Sequence, residues 1–457
     1  MSGEDQAEAR LRELLRDPRW SLPAGPDPEQ RVRRAARAQR RRLAGLAGVA
    51  AAAAVIAVAI PAGVGVLGHP AGPAAHRRPA TLYIYGSDVG SGANRANVVI
   101  PVNTATGTPG KPIHVGVGGT WPGGMIVITP NGKTAYVTTA SGTIIPVNTA
   151  TATPGKPIHI RGRNLGNRPD FIAITPDGKT AYVSHPGLRT VTPVNTATGT
   201  PGKPINIHGL FPLWDGQIVF MPGGKTGYVT TWSGTVTPIN TATNAPGKPI
   251  HVGYFCCGNM AITPDGKTAY VPSGSFVNTF NTATGTPGKA AHIGGHTQGI
   301  VITSDGKTAY VTSVKGCRWE SYQCTYTVTP ISTATGTPGK SIHVGFSPDA
   351  FHGQIVITPD GKTAYVITTT VNGCGPQAEQ CTYTVTPIST ATNAPGKPIP
   401  VGFGPSNFTG GIVITPDGKT AYVTTGSGVT PINTATNTPG KPIHVGNSST
   451  PAIAITP

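Results

Sequence analysis

Acidic side chains are scarce in this chain. Its 457 residues include 18 Asp and Glu against 35 Lys and Arg, and charged residues of both signs reach only 12%, roughly half the usual share of a soluble domain. Between residues 81 and 457, six acids lie outside a repeated turn: Asp88, Asp170, Asp215, Glu320, Asp349 and Glu379. No recurring spacing ties them to one another or to His185, His296 and His352, so acid–base catalysis has no motif to rest on and no catalytic residue is assigned. Cysteine is equally sparse, with six residues and none of the CxxC or His spacings of a zinc site, so neither a metal nor a cofactor is expected. Long apolar sequence is confined to one stretch near the N-terminus.

What abounds is glycine and proline, 62 and 46 residues. Without a period, such a content indicates disorder. Here both recur on a period. The decapeptide ITPDGKTAYV (262–271) returns with small changes seven times between residues 128 and 423. Its tyrosines fall at Tyr136, Tyr182, Tyr228, Tyr270, Tyr310, Tyr365 and Tyr422, in steps of 46, 46, 42, 40, 55 and 57 residues. That is the span of one four-stranded propeller blade. Asp-Gly between an apolar run and a β-branched, aromatic run marks a tight hairpin and gives strands a and b. GTVTPINTAT (234–243) supplies strand c and KPIHV (248–252) strand d. One such sheet cannot bury both of its faces, so successive copies must stack.

The tetrapeptides YVTT at 136, 228 and 422 and YVTS at 310, each preceded by PDGKTA or a near copy and followed by TPIN or TPIS with TAT, resemble the YVTN family of β-propeller repeats. The resemblance covers residues 81–457 and implies a toroidal all-β propeller, while leaving activity to be argued from a site. The GH and WD pairs of the WD40 class are absent.

The first 42 residues form a basic tail with eleven Arg and no Lys. Seven arginines between Arg31 and Arg42 abut LAGLAGVAAAAAVIAVAIPAGVGVL, 25 uncharged residues at 43–67, enough to cross a bilayer core that needs about 20. Arginines beside an apolar run act as a topology signal, so no nucleic-acid partner is expected. They hold residues 1–42 in the cytoplasm, make 43–67 a transmembrane helix in contact with membrane lipid, and place the propeller outside a single-pass cell-membrane anchor. A cleaved secretory signal is the alternative and gives the propeller the same location. Residues 68–80 form a Pro- and Ala-rich linker.

All six cysteines follow that segment. Cys317 and Cys324, in GCRWESYQCTYTVTP, and Cys374 and Cys381, in GCGPQAEQCTYTVTP, share spacing and context. Each pair is expected to form a disulfide across a loop between strands b and c. Adjacent Cys256 and Cys257 leave two readings open, a strained vicinal disulfide or two thiols that are free or paired elsewhere.

Seven complete units begin at the strands ending in Pro130, Pro176, Pro222, Pro264, Ser304, Pro359 and Pro416. Residues 82–116 supply b, c and d without an a, and residues 452–457 an a without the rest. The expected fold is therefore an eight-bladed all-β propeller closed by strands from both ends, with seven blades as the alternative. Alternating strand direction sorts the loops onto two faces. The a–b and c–d turns on the lower face hold fifteen lysines, a basic rim suited to anionic lipid. Recurring His114, His159, His251, His292, His343 and His444 read as exposed outer-edge residues. The upper loops, where the repeats stop resembling one another, carry Trp121, Trp214, Trp232, Tyr254, Trp319 and Phe351. Aromatic residues on loops of a rigid scaffold form binding hot spots. The expected function is binding of a protein or glycan partner on that face. The alternatives are a lactonase-type hydrolase and a structural envelope protein.

Overall fold

A computed structural model describes residues 80–457 except parts of the loops: 88–95, 118–124, 140–141, 161–170, 186–188, 208–216, 232, 254–258, 319–322, 348–353, 370–380, 405–410, 427 and 446–451. The transmembrane stretch, tail and linker lie outside the described residues. No helix among the described residues is long and apolar enough to cross a membrane.

The fold is all-β, with eight antiparallel blades. Blade 1 is built from both ends of the chain: its inner strand is Ala452–Ile455, followed outward by Thr81–Ser87, Ala96–Asn103 and Ile113–Val117. Leu82 pairs with Ile455 and Tyr85 with Ala452. Blades 2 to 8 begin at inner strands Ile126–Ile128, Phe171–Ile174, Ile218–Phe220, Ala261–Ile262, His296–Ile302, Ile355–Ile357 and Ile412–Ile414.

The repeated residues explain themselves once the ring is closed. In TPDGKT the Thr263 hydroxyl donates to Asp265 Oδ1 at 2.6 Å, the Lys267 amide donates to the same oxygen at 3.0 Å, and Gly266 takes φ 73°, the left-handed turn that glycine makes without strain. Val and Ile on strands a to d then pack between blades. One cluster of Tyr83, Val99, Ile113, Ile126 and Val137 fills the junction of blades 1 and 2.

The repeat tyrosine bridges blades. Buried on strand b, it donates its hydroxyl to the carbonyl of the Thr in the c–d turn of the next blade: Tyr136 to Thr196 at 2.8 Å, Tyr228 to Thr282 at 3.0 Å, Tyr310 to Thr390 at 3.2 Å. All eight blades repeat the bond, and Tyr422 of blade 8 donates to Thr104 of blade 1 at 3.2 Å, completing the circle. Three of these tyrosines, Tyr182, Tyr310 and Tyr365, also donate to the side chains of Asn244, Asn393 and Asn437 at 2.6 Å.

Those asparagines occupy the left-handed position of the c–d turn, at φ 58°, 57° and 55°. Four other blades carry glycine there, and blade 2 carries Ala152 at φ 53°. An L-residue without a polar side chain pays about 1–2 kcal/mol in that conformation. Ala152→Asn, which also offers an acceptor to Tyr83, is expected to raise stability by about 1 kcal/mol in urea unfolding; a variant no more stable than the parent would contradict this.

The lysines divide differently from the sequence expectation. The c–d turn ends at the glycine of TATG, and the following Thr-Pro already pairs back along strand c, as Val102 with Pro109 and Gly110 N with the Pro101 carbonyl. The eight lysines of GKP and its variants GKA and GKS, from Lys111 to Lys441, therefore stand on the outer wall of the blades. Only seven lysines remain on the lower face, and five of these lie 3.7–3.9 Å from the Asp of their own turn. Lys and Pro on an outermost strand block edge-to-edge pairing. The six recurring histidines are on the same outer strands and exposed, as expected.

Candidate functional site

The two faces treat their polar groups in opposite ways. On the lower face every acid serves its own turn: hydrogen bonds from Thr, then the Lys amide and the Lys charge, hold Asp265 and Asp305 below the ordinary carboxylate range. In Asp177, Asp360 and Asp417 the Thr bond again leads and partial burial opposes it. Thr149, Thr196 and Thr241 close the same rim by donating to the carbonyls of Gly132, Gly178 and Gly224. These groups are consumed by structure and leave the lower face without a free acid among the described residues.

The upper face is built unevenly. Strands b and c of most blades run five or six residues, but in blade 6 they run Thr308–Arg318 and Gln323–Ser332, 11 and 10 residues, and in blade 7 Thr363–Thr369 and Cys381–Ser389. Because the lower ends align, the excess of about five residues carries the blade 6 hairpin roughly 16 Å above that of blade 5. Phe346 of blade 6 pairs with Thr369 of blade 7 and fuses the two blades into one eight-stranded sheet. Phe346 also meets His343 edge-on at 5.3 Å, and Phe403, the blade 7 counterpart, is 58% exposed. At the channel side, Gln217 and Gln354 accept the inner-strand amides of Met260 and Ile412 at 3.1 and 2.9 Å, pinning one blade to the next.

Trp121, Trp214, Trp232, Tyr254, Trp319 and Phe351 lie outside the described residues, as do Cys256, Cys257, Cys374, the side chain of Cys317 and the six upper-loop acids. His185 is described and is fully buried. Neither ring nitrogen has a hydrogen-bond partner; the Val183 backbone favours the charged ring without reaching hydrogen-bond geometry. Burial dominates and pushes the imidazole down to about 4, so His185 is a neutral core residue, out of reach of a substrate. Among the described residues no group of three His, Cys, Asp or Glu could hold a metal. Sequence reasoning missed the interblade glutamines and the height of blades 6 and 7. Their only signal was the longer repeat spacing.

This architecture defines the chain as an eight-bladed β-propeller. No family model and no curated protein matches it. Among solved structures it is similar to hydrazine synthase of Kuenenia stuttgartiensis, with 22% identity, 70% of this chain and 97% of that one covered, and a TM-score of 0.52. It is also similar to dihydro-haem d1 dehydrogenase NirN in complex with DHE, at 11% identity, 81% and 74% coverage and TM-score 0.58. A putative 6-phosphogluconolactonase from Bacteroides uniformis gives 16%, 70%, 95% and 0.47. At these identities the likeness extends to the fold alone.

Proposed function

We propose that this propeller is a binding protein with YVTN-type repeats, carried outside the cell on the apolar segment 43–67 and engaging a protein or glycan partner through its upper loops. The observation that carries the reading is the contrast between the faces: the lower turns are uniform and use their polar groups internally, whereas blades 6 and 7 rise together as a fused wall among the divergent loops. Tryptophan-rich loops on such a support match the anatomy of binding surfaces. Membrane contact rests on residues 43–67, because eight of the fifteen lysines attributed to a lower rim stand on the outer wall.

Disulfides Cys317–Cys324 and Cys374–Cys381 belong to this reading. Arg318 pairs with Gln323, which brings the blade 6 cysteines to neighbouring positions on adjacent strands, and Cys324 and Cys381 are buried at 3% and 0% exposure. Non-reducing peptide mapping is expected to recover both links, and full alkylation of the four native thiols would refute them.

The function itself is tested with full-length chain displayed on intact cells. Lys267 and Lys362 should react with a membrane-impermeant amine reagent, and capture on arrays of glycans and surface proteins should be lost on replacing Trp232 and Trp319 by Ala without a change in thermal midpoint. Lysines protected until lysis would refute the location, and capture indifferent to both tryptophans would refute the binding face.

A further inference from the structure

Blade 5 departs from its neighbours where strand c begins. Five residues before the closing Asn or Ser of that strand, five other blades carry Thr143, Thr190, Thr235, Thr327 and Thr384, the last four of them buried. Blade 5 carries Phe276, which is 43% exposed; among the described residues only Phe403 is a more exposed large apolar side chain. A core position of the repeat has become an aromatic surface in one blade only, which the packing of the ring does not require.

Its surroundings supply the complementary chemistry. Phe276 pairs with His292 across strands c and d, and the two rings lie 4.9 Å apart, tilted by 56°. Beyond His292 the backbone is bare at Gly294 and Gly295. The point a Gly294 Cβ would occupy lies 3.8 Å from His292 Cε1 and 3.5 Å from Lys315 Nζ. At Gly295 a Cβ would strike the Lys315 stem, 2.5 Å from Cγ. The paired glycines thus make room for Lys315, from strand b of blade 6, whose ammonium and the His292 ring both border the space left open at Gly294. Neither Lys315 nor His292 has a carboxylate partner among the described residues.

We propose that this Phe276–His292–Lys315 corner, at the upper outer junction of blades 5 and 6, is a subsite for an acidic saccharide. One face of a pyranose ring lies on Phe276, and its carboxylate accepts a charge-assisted hydrogen bond from Lys315. An exposed ring at a corner whose one cation has no carboxylate partner among the described residues suits a sugar acid, which offers an apolar ring face and one carboxylate on the same residue. The proposal deepens the glycan arm of the binding function and rests on that arm.

The test is titration of the full chain with tetragalacturonate, with its methyl ester, and with a tetraglutamate peptide of equal charge. Tetragalacturonate is expected to bind, with the ester and the peptide at least about tenfold weaker. Phe276→Ser and Lys315→Gln should each weaken it about tenfold, while Lys267→Gln on the lower face changes nothing. Equal binding of the peptide would assign the corner to acidic proteins, and equal losses from Lys315→Gln and Lys267→Gln would reduce it to net charge; either result overturns the proposal. Loss of tetragalacturonate binding alone, with tryptophan-dependent capture intact, would refute this subsite and leave the upper-face function standing.

Discussion

A chain lacking residues 451–457 is expected to unfold roughly 10 °C below the full-length protein and to aggregate. Those residues are the inner strand of blade 1. Ile453, 4% exposed, sits in the cluster joining blades 8 and 1 with Leu82, Val413 and Tyr422, and Ala454 in the cluster joining blades 1 and 2. Thr456 adds two bonds to Thr81, at 2.8 and 3.0 Å, and Pro457 packs against the turn at Gly132. Removing a buried Ile side chain alone costs about 2–5 kcal/mol, and the deletion also bares the edge of Thr81–Ser87, a template for intermolecular pairing. Ile453→Asp should reproduce the loss without shortening the chain. Unchanged melting and solubility in both variants would contradict an obligatory closure by the last strand.

Acid should weaken the fold through His185 before it reaches the carboxylates. The folded-state value of about 4 lies below the ordinary imidazole value of 6.5. Above pH 6.5 the ring is neutral in both states and contributes nothing. As pH falls from 6.5 to 4 the unfolded chain takes the proton that the folded chain refuses, so stability falls across that window, by up to about 3 kcal/mol at its lower end. His296, also lowered by burial, adds a change of the same sign. The turn aspartates are depressed as well, so their stabilisation is lost only at lower pH, and their exposure keeps each contribution small. His185→Leu removes an unpartnered polar ring from the core and is expected to leave stability at pH 7 unchanged or higher. The decisive comparison is urea unfolding at pH 7 and pH 4.5, where the variant should lose much less than the parent. Parallel losses would show that His185 does not carry the acid sensitivity.

The period of the decapeptide, with Asp-Gly at its turn, pointed to eight blades, which the structure has, with seven as the alternative, and to the strand order and the pairing of the two chain ends. Those follow from local rules: alternation picks out strands, turn residues fix hairpins, and an incomplete unit at each end can be completed only by the other. The role of the repeat tyrosine was not legible, because its acceptor lies 54–83 residues away along the chain in seven blades and 318 residues away in the eighth. The lysines of GKP were misplaced for a related reason: whether Thr-Pro extends a turn or begins an outer strand is decided by pairing with strand c. Phe276 was invisible as a surface residue, since sequence gives an aromatic residue in a strand no sign of which side it faces once a blade shifts its neighbours. His185 likewise became a core residue only when blade stacking removed its water. Sequence alone determined the strands and their order through short-range geometry and periodicity; burial, interblade bonds and the exposed corner of blade 5 were decided by which distant segments the closed ring presses together.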